Sequence, residues 1–244
     1  MKKAVLVIGQ SHVGAIRQAA RARSEAHPDR PRIRAIHTLE KRYAPFYVGQ
    51  GADATFSPAL VQEIDNQITW HKPLVVSANG GNIHNVLTLV RHPRPFDFLL
   101  SSEEGPPIDP EAEPVSEALV HAALENGLQN DRFLIRLTRQ AADAAVHLES
   151  PPPLFDNRMI EEHGAAHFAG MPTFGASSPG LRYKIWRLNS RIIAGYCAEL
   201  GIKFLPVSRE AQDANGFLLP HLAGDATHGN QAYGDIIVRA LEDL

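Results

Sequence analysis

One cysteine, Cys197, stands in 244 residues. No intramolecular disulfide can form, so the chain must hold itself by a buried core, and a reducing compartment such as the cytoplasm is expected. Cys197 falls on the apolar stripe of a helical pattern and reads as a small core residue, not a nucleophile. Excess positive charge is missing too. Lys and Arg number 24 against 27 Asp and Glu, a net charge of −3, which argues against a nucleic-acid or anionic-membrane partner. No apolar run is long enough to span a bilayer. The start, Met1 to Ile8, is basic and then apolar like a secretory signal. It is too short, however, and enters Gly9-Gln10-Ser11 without a small-residue cleavage site, so it reads as a first strand. The Gly9 to Gly14 stretch is too short for a phosphate-binding loop and lacks its lysine.

What is present is an alternation. Residues 3–8 form a short β-branched run, followed by a helical stretch over 13–23. Residues 32–36 and 74–77 read as two further strands, with an amphipathic helix over 58–70 carried by Leu60, Val61, Ile64 and Ile68. Residues 43–57 read as a loop over a site. Residues 115–142 read as helix with a break near Gly127. Strands are expected at 144–149 and 202–207, with a long helix over 181–200 between them. A terminal helix carries Tyr233, Ile236, Ile237, Ala240 and Leu241 on its buried side. Two excursions interrupt the pattern: 92–114, rich in Pro and acids, and 154–179, irregular.

This β-α order predicts one domain over 1–244, a three-layer α/β/α fold on a five-stranded, flavodoxin-like parallel sheet. Sites in such sheets lie outside the carboxyl ends of the strands. Ser11, Asn82, Asp225 and His228 each follow a strand, so all are expected on one rim.

Their residue types fit nucleophilic catalysis. A serine hydroxyl needs a base to take its proton, and a base works best when a carboxylate fixes its orientation. Ser11 sits where a strand turns into a helix; the bland reading of that position is a helix N-cap. Asp225 and His228 lie three residues apart before the last helix; the bland reading is a solvated loop. Asn82 follows Gly80-Gly81 and offers an amide donor for a developing oxyanion; it is otherwise a turn asparagine. Asn79 and Asn85 are rival claimants to that role. His12 and His84 adjoin these positions and are expected to pack beneath the loop. His163 and His167 have helix-face spacing but lack a third clear ligand, so no metal is expected.

Together the blocks Gly9-Gln10-Ser11-His12, Gly80-Gly81-Asn82 and Asp225-Ala226-Thr227-His228 resemble those of the SGNH hydrolases, the GDSL-type esterases. The resemblance implies Ser11 as nucleophile, His228 as base and Asp225 as its partner. It also implies an oxyanion hole from the Ser11 N–H, a glycine N–H from Gly49 or Gly51, and the Asn82 amide. Gln10 stands where the family usually has Asp, and Ile83 stands where Asp commonly follows the Asn. The expected activity is hydrolysis of a short-chain acyl ester, such as an O-acetyl group on a carbohydrate or small molecule, without cofactor. A non-hydrolytic carbohydrate-binding or acyl-transferring relative is the alternative.

Overall fold

The computed structural model describes residues 4–101, 103–164 and 175–244. In chain order the elements are β1 (Val5–Gly9), α1 (Val13–Ala26), β2 (Ile33–His37), β3 (Tyr47–Val48), β4 (Thr55–Phe56), α2 (Pro58–His71), β5 (Leu74–Ala78) and α3 (Ile83–Thr88). There follow β6 (Phe96–Asp97), β7 (Glu113–Pro114), α4 (Glu117–Gly127), α5 (Gln129–Ala142), β8 (Val146–Leu148), α6 (Asn157–Gly164), α7 (Pro179–Glu199), β9 (Lys203–Leu205) and α8 (Gln231–Glu242).

The main sheet has five strands in the order β2-β1-β5-β8-β9. All its pairings are parallel. The expected three-layer α/β/α architecture is therefore present. Strand β1 is buried throughout, and its side chains alternate between two cores because successive Cβ atoms point to opposite faces. Val5 and Val7 pack with α1 and α8 residues such as Ile16, Val238 and Leu241. Leu6 and Ile8 pack with Leu60 and Ile64 of α2 and with Leu134 and Leu137 of α5. Each large aliphatic side chain buried this way contributes about 1.5–3 kcal/mol.

The expected break near Gly127 is present: the stretch 115–142 is two helices, α4 and α5, parted at Leu128. Where the sequence pattern was weaker, the structure differs. Residues 43–57 contain the short antiparallel pair β3–β4. The first excursion closes on itself through the parallel pair β6–β7. The second holds α6. No helix among the described residues is long and apolar enough to cross a membrane. Cys197 is fully buried, and burial pushes its thiol up to about 12, as a core role requires.

Helix α7 anchors both excursions through buried cations. The Lys184 ammonium bonds Asp97 at 2.7 Å and the Pro107 carbonyl at 3.1 Å, tying down the first. The Arg182 guanidinium donates to the carbonyls of Leu154, Phe155 and Ser177, tying down the second. Buried charges persist only when partnered in this way.

Candidate active site

Three loops at the carboxyl rim carry the candidate residues. The first leaves β1. Gly9 is fixed there by crowding: a Cβ would lie 2.3 Å from the Ala78 carbonyl oxygen of the neighbouring strand. Ser11 follows, exposed, on the turn into α1. The N-cap position of α1 belongs to His12 and carries no side-chain cap, so the capping reading of Ser11 does not hold. No described hydrogen bond engages the Ser11 hydroxyl.

The second loop leaves β5. Gly80 and Gly81 have φ of +74° and +93°, a region where side chains other than glycine are strained. This path turns Asn82 to the start of α3. The Gly81 N–H donates to the Asp131 carboxylate of α5 at 2.8 Å, and the Gly80 N–H to the Gln10 side-chain oxygen at 3.3 Å. Burial raises the Asp131 carboxyl, and the Gly81 N–H opposes that shift. Asp131 and Gln10 thus support a loop whose following residue is Ile83. Neither supporting contact was legible, because they span 50 and 70 residues of chain.

The third loop precedes α8. It is closed by the Gly224 N–H to the His228 carbonyl at 2.7 Å. Within it, Asp225 Oδ1 accepts from the backbone N–H of Thr227 at 2.7 Å and of His228 at 2.8 Å. Asp225 Oδ2 lies 2.8 Å from His228 Nδ1. Burial raises the Asp225 carboxyl. The Thr227 N–H and the His228 ring and N–H outweigh it, so the net shift is downward. His228 Nε2 is buried and without a hydrogen-bond partner. An imidazole held at Nδ1 by a carboxylate presents Nε2 as a base. The pair is thus an ordered unit and not a solvated loop.

The loops come together because α1 and α8 pack closely. A Cβ on Gly234 of α8 would sit 2.2 Å from the Ala15 carbonyl oxygen of α1. That missing side chain lets the two helix starts meet. The His12 and His228 ring centroids are 5.0 Å apart, tilted by 52°. His12 Nε2 is also 3.1 Å from Asn82 Oδ1. The Ser11–His12 turn therefore joins both other loops.

The remaining expectations divide. Asn79 is buried and donates to Thr138 at 2.6 Å, which removes it from the rim. Asn85 donates to Asn82 Oδ1 at 3.3 Å and so serves Asn82. His84 packs as expected, 1% exposed. Gly49 and Gly51 have no described hydrogen bond to Ser11, Asn82 or His228. Their loop lies over α5: Tyr47 meets the Phe133 ring at 5.1 Å, and Arg136 donates to the Gly51 carbonyl at 2.7 Å. His167 lies outside the described residues, and so does the side chain of His163.

No protein-family model matches the sequence, and no curated protein does. Among solved structures, the chain is similar to the periplasmic domain of a lipopolysaccharide acetyltransferase from Salmonella ser. Paratyphi A. That overlay covers 100% of this chain and 83% of the other, with 13% identity and a TM-score of 0.50. That likeness is one of fold, a five-stranded parallel sheet flanked by helices. Two further structures are matched at lower scores. A GDSL-like lipase from Bacteroides thetaiotaomicron has 15% identity, coverage of 99% and 88%, and a TM-score of 0.40. A carbohydrate acetylesterase from Sinorhizobium meliloti has 14% identity, coverage of 99% and 97%, and a TM-score of 0.42. These likenesses are of fold. A fold does not fix a chemistry, which is carried by the rim residues themselves.

Proposed function

We propose that the protein is a serine esterase acting on a short-chain acyl ester, such as an O-acetyl group on a carbohydrate. The observation that carries this reading is the Asp225–His228 pair. Its carboxylate holds Nδ1 at 2.8 Å while Nε2 stays unpartnered, beside the turn that bears Ser11. In this reading His228 Nε2 takes the Ser11 proton as Oγ attacks the ester carbonyl. The oxyanion receives hydrogen bonds from the Ser11 N–H and the Asn82 Nδ2. An N–H of Gly49 or Gly51 is the third donor of this reading. Collapse of the tetrahedral intermediate expels the alcohol with the proton carried by His228. Water then attacks the acyl-Ser11 ester, with His228 again as base.

No metal or organic cofactor enters this scheme. A cytoplasmic setting suits the single buried thiol. The acetyltransferase likeness supports a second outcome for the same acyl-enzyme, capture by a sugar hydroxyl instead of water. Hydrolysis of p-nitrophenyl acetate by the wild type and by Ser11→Ala tests the proposal. We expect turnover to vanish in a folded Ser11→Ala protein; undiminished turnover refutes the assignment. Added sugar acceptors that divert acetate from water to ester would move the reading to transfer.

A further inference from the structure

His12 is outside the three catalytic positions, yet it touches two of the three loops and belongs to the third. We propose that His12 is a positioning residue for Asn82: its Nε2–H donates to Asn82 Oδ1 and so commits the amide's Nδ2 to the oxyanion. The proposal rests on the esterase reading of the site.

An asparagine amide has an accepting end and a donating end, and only the donor is useful to an oxyanion. Asn82 sits at the N-cap position of α3, where such a side chain ordinarily turns its oxygen onto the helix N–H groups. Here it makes no capping bond. Its Oδ1 instead receives His12 Nε2 at 3.1 Å and Asn85 Nδ2 at 3.3 Å. Two donors on one oxygen fix which way the amide faces. No described bond engages the Asn82 Nδ2.

The other side of the His12 ring agrees. Its Nδ1 is buried without a partner, so the ring gains its one hydrogen bond from Asn82. With Nε2 as donor, Nδ1 carries no proton and the ring is neutral. The groups around it favour that state. His84 and His228 are its ionisable neighbours, and the Asp225 carboxylate is engaged by His228. Burial, and then the nearby His228, hold the His12 ring down to about 4. A neutral donor can lean on His228, at 5.0 Å between ring centroids, without opposing the positive charge His228 gains in the reaction.

Two substitutions separate positioning from packing. His12→Leu keeps bulk and loses the donor; His12→Gln places an amide donor near the position of Nε2. With p-nitrophenyl acetate we expect His12→Leu to lose about 10- to 100-fold in kcat with little change in KM. His12→Gln should recover most of it. In the Asn82→Ala background, His12→Leu should cost almost nothing more, because the two act through one bond. Equal loss in His12→Leu and His12→Gln, or losses that multiply in the double variant, overturns the proposal. A second readout needs no activity. Long-range proton–nitrogen NMR of the wild type should show His12 as the neutral Nε2–H tautomer from pH 5 to 8. An Nδ1–H tautomer overturns the proposal even if the variants fail to fold. If the wild type hydrolyses no ester, the esterase reading falls, while the NMR result still decides the His12–Asn82 bond.

Discussion

Replacing Asp225 by Asn changes one atom and, by the structure, should disable His228 without disturbing the loop. Asp225 Oδ1 is pinned by two backbone donors, the Thr227 N–H at 2.7 Å and the His228 N–H at 2.8 Å. The amide introduced by Asp225→Asn must keep its oxygen there, since its NH2 cannot accept. The NH2 is then forced into the place of Oδ2, 2.8 Å from His228 Nδ1. Nδ1 must now accept, so the ring's proton moves to Nε2. A protonated Nε2 in a neutral ring cannot take a proton from Ser11. The same tautomer inversion in a serine triad costs about 10,000-fold in kcat, or about 5.5 kcal/mol of barrier. Stability should fall far less. Both backbone bonds survive, weakened from charge-assisted to neutral, a change of about 1 kcal/mol, or a few degrees in Tm. The assay is p-nitrophenyl acetate hydrolysis beside a thermal melt. A folded Asp225→Asn protein within tenfold of wild-type kcat would refute the orienting role.

Other consequences are as direct. Asn82→Ala removes one oxyanion donor and should lower kcat by about 100- to 1,000-fold with little effect on KM, measured by steady-state kinetics. Lys184→Met leaves the Asp97 carboxylate, 1% exposed, without its cation and should cost about 3–5 kcal/mol in denaturant unfolding. An unchanged midpoint would contradict the anchoring role of α7. Stability should also fall in acid. Burial holds His84 down to about 3 and His147 down to about 4, so the native rings stay neutral where the unfolded ones, near 6.5, take up protons. Their stabilisation is complete above about pH 6.5 and is lost as pH falls toward the folded values, at up to about 2.7 kcal/mol per pH unit for the pair. Urea titrations at pH 7 and pH 5 measure this; equal midpoints would contradict it.

The sheet was legible because its strands are short apolar runs followed by helical stripes, and β1 needs nothing more than Val5 to Ile8 to be read. The rim placement of Ser11, Asn82 and the Asp225–His228 pair follows from that alternation alone. Helix α6 was not legible, since Met159 and Ile160 are too few apolar positions to set a period. The pairs β6–β7 and β3–β4 have two residues per strand, too short for any pattern. The surroundings of Gly49 and Gly51 were not legible either. Glycines mark where backbone can approach, not what it approaches, and here Phe133 and Arg136 draw their loop onto α5. The supports of the site were hidden similarly. Asp131, Gln10 and His12 act on the β5 loop across 50 to 70 residues of chain, and His12 meets His228 only where α8 packs on α1 at Gly234 and Ala15, contacts no local pattern announces.

The central claim is that Ser11 is a nucleophile activated by His228. A fluorophosphonate probe tests it without knowledge of the substrate, because the phosphorus reacts far faster with an activated serine than with an ordinary hydroxyl. The account predicts one adduct per chain, on the peptide bearing Ser11, and its loss in a folded His228→Ala variant. A folded wild-type protein that takes no label, or takes it on another serine, would contradict the account.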